Sequence, residues 1–140
     1  MIRRVALFGV PVDILDITTA VTATFRALDD GETGRVIIAI NPEKVELVRQ
    51  DPALASLCAE AHLLLPDGIG VTTALRWLNQ TNTPRVTGID LMVALCAEAE
   101  RRQRSVFLYG ATEERNRAAT ATLQQQFPAL QIAARLNGFA

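Results

Sequence analysis

The chain predicts an α/β fold of Rossmann-like type: an open, mostly parallel sheet flanked by helices in three α/β/α layers. Three observations carry this expectation. Residues 35–40, 61–65 and 105–109 are short, nearly continuous apolar runs, the pattern of strands buried on both faces. Between them lie segments of helical periodicity, about ten to fifteen residues long, as βαβ units require. The runs end at Asn41, at Pro66-Asp67-Gly68 and at Gly110, so polar and glycine-rich turns fall at the carboxyl ends of strands, where open sheets bind ligands.

In chain order, residues 5–8 read as a first short strand, preceded by Arg3 and Arg4. Ile17, Ala20, Val21, Thr24, Phe25 and Leu28 recur at helical spacing, with Asp16 placed as N-cap and Asp29-Asp30-Gly31 as the stop. After strand 35–40, Asn41 and Pro42 open a helix, proline being tolerated in a first turn. Strand 61–65 stops at Pro66, and the next helix starts near Ile69. Ile89, Met92, Val93, Cys96 and Ala97 form an apolar stripe opposite Glu98, Arg101, Arg102 and Arg104, whose cations read as a solvated helix end. Strand 105–109 is stopped by Gly110, and Thr112-Glu113-Glu114 opens a helix with a stripe of Ala118, Ala119, Thr122, Leu123 and Phe127. A weaker strand, 130–134, follows Pro128.

The 140 residues fit one domain, 1–140, long enough to bury a core. With 49% hydrophobic and 21% charged residues the chain is not of disordered composition. A net charge of −1 gives no basic field for nucleic acid, so no nucleic-acid partner is expected. Asp13 and Asp16 interrupt the N-terminal apolar stretch too early for a secretion signal. No run approaches the roughly 18 apolar residues of a membrane span, so a soluble, cytoplasmic chain is expected. Cys58 and Cys96, far apart and with His62 as the single histidine, suggest buried reduced thiols and neither a metal site nor a disulfide.

Three turns are candidates for chemistry, and each also has a purely structural reading. Asn41-Pro42 is either a helix cap or, through the N–H groups of the helix start, a phosphate site. Asp67, followed by Gly68 and Gly70, is either a capping aspartate or a general base at the sheet edge. Arg85-Val86-Thr87-Gly88 is either a capped helix start or an arginine clamp, whose planar fork pairs bidentately with diphosphate oxygens. Gly110 adds a strand-to-helix turn of nucleotide-binding type, without the GxGxxG of a dinucleotide site and with no P-loop elsewhere.

Taken together in order and spacing, residues 36–44, 65–71, 85–91 and 106–110, running on to Asn137-Gly138-Phe139, resemble the WecG/TagA/CpsF glycosyltransferases. The resemblance implies an inverting, metal-independent transfer of N-acetylmannosamine or a related hexose from a UDP-sugar, with no cofactor. The acceptor would be a polyprenyl-diphosphate-linked N-acetylglucosamine in cell-surface polysaccharide synthesis, including teichoic acid and exopolysaccharide. It implies Asp67 as general base, and Asn41, Gly68, Arg85, Thr87, Gly88 and Gly110 as substrate-binding residues. Work at the inner face of the cell membrane, by peripheral contact, goes with it.

Two departures from the family pattern give a second expectation, a nucleotide-sugar-binding or assembly subunit without turnover. Ala39 stands where the family commonly has a threonine. Family members also continue well beyond Phe139, through a Pro-Lys-Gln-Glu-like motif and a basic C-terminal appendage. The 140 residues would then be the N-terminal part of the family's usual length, an inactive remnant being the further alternative, and apolar surface left open predicts self-association as a homo-oligomer or instability.

Overall fold

The computed structural model describes residues 1–79 and 81–139. Its contacts divide the chain into two compact units, Met1–Leu91 and Met92–Ala140.

The first unit opens with a hairpin, β1 (Arg3–Leu7) against β2 (Val10–Ile14), antiparallel and closed by the pair Leu7↔Val10. Its two-residue loop has positive φ at both positions, 51° at Phe8 and 84° at Gly9, the backbone of the hairpin turns whose twist matches that of the strands. Helix α1 (Ile17–Asp29) is capped by Asp16, whose carboxylate accepts the Thr19 N–H at 2.7 Å. Strand β3 (Ile37–Ile40) runs parallel to β4 (Leu63–Pro66), from Ile37↔Leu63 to Ile40↔Pro66. Between them come α2 (Pro42–Gln50), capped by Asn41, and α3 (Pro52–Glu60), capped by Asp51. Helix α4 (Ile69–Leu78) follows β4. The core gathers Leu7, Val10, Val12, Ile40, Val45, Cys58, Leu64, Val71 and Leu75 from hairpin, strands and helices.

The hairpin is tied to β4 by a buried carboxylate. Asp13, 2% exposed, accepts Arg4 Nε at 2.7 Å and Nη2 at 2.9 Å, and also the backbone N–H of Leu64 at 2.8 Å. Arg4 Nη2 reaches on to the Ala61 carbonyl at 3.0 Å. The carboxylate supplies the acceptor that a ladder bond would otherwise give to β4, and its hydrogen bond pushes the Arg4 pKa further up.

Helix α5 (Gly88–Arg101) begins in the first unit and continues in the second. There β5 (Ser105–Tyr109) pairs in parallel with β6 (Gln131–Leu136), with an irregularity at Val106/Phe107, and α6 (Glu113–Gln126) connects them. Leu123, Phe127 and Leu130 are buried, and Glu100 accepts the Ala129 N–H at 2.7 Å, tying the approach to β6 onto α5.

The α/β class and the predominance of parallel pairing stand: two of the three ladders are parallel. The expected open sheet is instead divided into three two-stranded ladders. Strand 105–109 lies where expected, whereas the runs at 35–40 and 61–65 start later, at Ile37 and Leu63. Arg35 is drawn into an ion pair with Glu32 at 2.6 Å, and Ala61 serves as the C-cap of α3. The last strand is shifted to Gln131–Leu136. Strand β2 and helix α3 as a separate element were not expected.

Two helix stripes also move. In α5 the buried residues are Leu91, Cys96 and Ala99, while Ile89, Met92 and Ala97 are exposed. In α6 they are Asn116 and Leu123, leading to Phe127, while Ala118, Ala119 and Thr122 are exposed. A polar side chain at 116 hides the true period. Both cysteines are buried free thiols, as expected.

Candidate active site

Three turns meet at the carboxyl end of the β3–β4 pair, all in the first unit. The first follows β3. Asn41 Oδ1 accepts the Lys44 N–H at 2.8 Å, so the carbonyl oxygen of its amide caps α2 and its NH₂ is the group left for a ligand. Pro42 is the first helical residue. Lys44 turns back and donates from Nζ to the Ala39 carbonyl at 2.9 Å, placing a cation under this strand end.

The second turn follows β4. The Asp67 N–H donates to the Ile40 carbonyl at 3.0 Å, continuing the ladder one step beyond β4. The N-cap of α4 is Gly68, with φ 87°, and no side chain caps the helix. The capping role open to Asp67 in the sequence is therefore not the one it takes. Its half-buried carboxylate has no hydrogen bond or ion pair among the described residues. Both glycines have a reason. At φ 87° an L side chain is strained, and a Cβ on Gly68 would also stand 3.4 Å from Pro42 Cδ. A Cβ on Gly70 would lie 3.0 Å from Pro42 Cγ, so this turn sits directly on the Asn41-Pro42 turn.

The third turn is brought in by a backbone bond, Val86 N–H to the Pro66 carbonyl at 3.0 Å. It fixes Arg85-Val86 beside the end of β4. Arg85 is exposed, and its guanidinium has no partner among the described residues. Thr87 Oγ1 accepts the Asp90 N–H at 3.0 Å and so caps α5. A Cβ on Gly88 would stand 3.7 Å from the Cβ of Ala39, which brings this turn over the end of β3. Asn41, Asp67, Gly68, Arg85, Thr87 and Gly88 thus belong to three adjoining turns.

Gly110 lies in the second unit, directly after β5, with φ 112°. Its N–H donates to the Leu136 carbonyl at 3.0 Å, and its carbonyl accepts Asn116 Nδ2 at 3.0 Å. Asn116 Nδ2 also reaches the Leu136 carbonyl at 3.2 Å, while its Oδ1 is buried with no partner among the described residues. A cavity of about 550 Å³ opens beside this turn, with Tyr109, Ala111 and Arg115 in its wall. Sequence reasoning missed Asn116, and a polar residue within an otherwise buried helical period was the signal available for it. It missed Pro42 as the surface on which the Asp67 turn rests; only the pair of closely spaced glycines hinted at that approach. No group of three or more His, Cys, Asp or Glu able to hold a metal occurs among the described residues. No helix among them is long and apolar enough to cross a membrane.

The sequence model of the "Glycosyl transferase WecG/TagA/CpsF family" matches residues 5–140. The chain belongs to this family. Among curated members, an "N-acetylglucosaminyldiphosphoundecaprenol N-acetyl-beta-D-mannosaminyltransferase" of Bacillus spizizenii is 29% identical over 110 residues, 79% of this chain and 43% of the relative. A protein of the same name from Bacillus subtilis strain 168 is 28% identical over 110 residues, with the same coverage. Its namesake in Staphylococcus aureus strain MRSA252 is 36% identical over 97 residues, 69% of this chain and 38% of that protein. The chain thus spans less than half the length of these WecG/TagA/CpsF relatives. The names of those relatives describe transfer of N-acetylmannosamine to a diphosphoundecaprenol-linked N-acetylglucosamine.

Proposed function

We propose that the edge of the β3–β4 pair is the sugar-transfer centre of a WecG/TagA/CpsF glycosyltransferase. In this reading the donor is a UDP-sugar carrying N-acetylmannosamine or a related hexose, and the acceptor is a polyprenyl-diphosphate-linked N-acetylglucosamine. The observation that carries it is Asp67: a carboxylate at a strand's carboxyl end with no partner among the described residues, on a turn that adjoins the turn of Arg85, whose guanidinium has none there either. Asp67 takes the proton of an acceptor hydroxyl as that oxygen attacks the anomeric carbon from the face opposite the leaving UDP, so the configuration inverts. The bond from the anomeric carbon to the diphosphate breaks, and its electron pair leaves with UDP.

The leaving diphosphate gathers negative charge. Arg85 can meet it with its bidentate fork. The start of α4, which no side chain caps, offers unpaired N–H groups and the positive end of a helix dipole, and Asn41 adds its amide NH₂. Thr87 and Gly88 hold the Arg85 turn in place and let it lie close over Ala39. The enzyme acts on the inner face of the membrane, where its lipid-linked acceptor resides.

Titration calorimetry of the chain with UDP and UDP-N-acetylmannosamine tests this reading. Binding is expected, and Arg85→Ala should weaken it about 10- to 100-fold, the value of a charged hydrogen-bonded contact of roughly 1.5–3 kcal/mol. Failure to bind either ligand would overturn the proposal. Ala39, which brings a methyl group where the resemblance expects a threonine hydroxyl, favours a second reading: donor binding without transfer. Binding that persists while no sugar reaches a short-chain lipid-linked acceptor would select it.

A further inference from the structure

Lys44 takes no part in the transfer chemistry set out above, yet it holds the residue on which two turns of that site meet. We propose that it is a positioning residue: by fixing the Ala39 carbonyl it keeps the Asn41 and Arg85 turns set for the donor's diphosphate. The inference rests on the transfer reading of this site and adds a residue that the reading does not use.

The direction of the Ala39 carbonyl follows from the ladder. In β3 the carbonyls of Val36 and Ile40 face β4, where the His62 and Asp67 N–H groups meet them at 2.8 and 3.0 Å. Carbonyl direction alternates along a strand, so the Ala39 carbonyl faces the other edge, where no strand pairs with β3 among the described residues. Lys44 Nζ, at 2.9 Å, takes the place of the missing ladder donor. No carboxylate pairs with this half-buried ammonium among the described residues. The chain has thirteen arginines and this one lysine. An ammonium on a flexible stem suits a point contact to a single carbonyl, whereas the arginine fork suits planar anions.

That contact reaches both turns. The Nζ bond to Ala39 and the Lys44 N–H bond to Asn41 Oδ1, at 2.8 Å, close residues 39–44 into a small ring that includes Asn41. Ala39 is also the residue beneath the Arg85 turn, since a Cβ on Gly88 would stand 3.7 Å from its Cβ. The Lys44 charge extends to the buried Cys58 thiol, whose pKa it draws down against the effect of burial. The ammonium thus lies on the protein side of the turn, and it acts on the donor through Asn41 and Arg85.

Titration calorimetry of the 140-residue chain with UDP and with uridine, which lacks the diphosphate, tests the proposal. Lys44→Met keeps the apolar stem and loses the donor; it should weaken UDP about tenfold and leave uridine within about threefold. Lys44→Gln, neutral but still able to donate, should hold UDP within about threefold of the parent, because the bond and not the field is what positions the turns. In an Arg85→Ala background the loss caused by Lys44→Met should shrink about threefold, the coupling expected of residues that act through one turn. A parent chain that binds UDP, with Lys44→Met binding it equally well, overturns this inference and leaves the transfer reading standing. So does an equal loss of UDP and uridine, the mark of a loosened fold, a Lys44→Gln variant as weak as Lys44→Met, or a loss that is unchanged without Arg85. A parent chain that binds no UDP overturns the transfer reading and this inference with it.

Discussion

Replacing Asp13 with alanine removes the acceptor that joins the hairpin to β4, the strand that delivers Asp67. Two groups are stranded. The Leu64 N–H, inside a fully buried strand, loses its 2.8 Å bond, a cost of about 1–3 kcal/mol for an unsatisfied buried donor. The Arg4 guanidinium loses two bonds at 2.7 and 2.9 Å but keeps the Ala61 carbonyl at 3.0 Å and is one-third exposed. Water therefore takes over part of its solvation, and the total belongs at the low end of the range for a broken buried pair, about 3 kcal/mol. For a chain of this size that lowers Tm by about 10 °C. Urea unfolding followed by circular dichroism measures it directly, with an unchanged m-value showing that stability alone has moved. Asp13→Asn keeps a carbonyl acceptor for Leu64 and should lose about half as much. An alanine variant within about 1 kcal/mol of the parent would refute the view that this carboxylate holds β4 in place.

Gly68→Ala should destabilise by about 1–3 kcal/mol, because its positive φ with extended ψ is a backbone that L side chains rarely adopt. Gly70→Ala should destabilise through the 3.0 Å approach to Pro42 Cγ, so Pro42→Ala should recover part of that loss; thermal melts of the three variants and the double variant check both. The Glu98 carboxyl is held down to about 2 by Arg101 and Arg102, and that of Glu113 to about 2 by Arg135. Depressed folded-state values mean that the stability they lend is complete above the unfolded pKa of about 4.3 and is lost as pH falls from there toward 2. Carboxyl NMR titrations with midpoints near 4.3 for both would contradict these pairings. Burial pushes the Cys58 and Cys96 thiols up, so a disulfide reagent should label them slowly at neutral pH and quickly once urea unfolds the chain; rapid native labelling would be inconsistent with it.

Local chemistry made part of the fold legible. Asp16, Asn41 and Thr112 cap the helices that their sequence positions announce, and the run 105–109 is a strand to the residue. What sequence hid depends on partners far along the chain. Val10–Ile14 contains a proline and an aspartate, which argue locally against a strand. The aspartate is buried only because Arg4 and Leu64, the latter 51 positions away, satisfy it. Asn116 broke the apolar period of α6 for a comparable reason, since its amide serves Gly110 and Leu136.

The site shows the same division. The residue types of the Asp67 and Arg85 turns could be read from their motifs. Their adjacency could not: it comes from Val86 bonding Pro66, from Gly70 resting on Pro42 and from Gly88 lying over Ala39. The choice between cap and free carboxylate at Asp67 was likewise undecided until α4 was seen to start at Gly68 without a side-chain cap.

The most direct test of the central claim is a transfer assay with Asp67→Asn, run beside UDP-sugar calorimetry on the same protein. The amide preserves shape and cannot accept the proton. Donor affinity should therefore stay within about threefold, while the rate of sugar transfer to a lipid-linked N-acetylglucosamine falls about 10²- to 10⁴-fold, the share of a positioned general base. An Asp67→Asn variant that transfers sugar at the rate of the parent chain would contradict the assignment of Asp67 as the base.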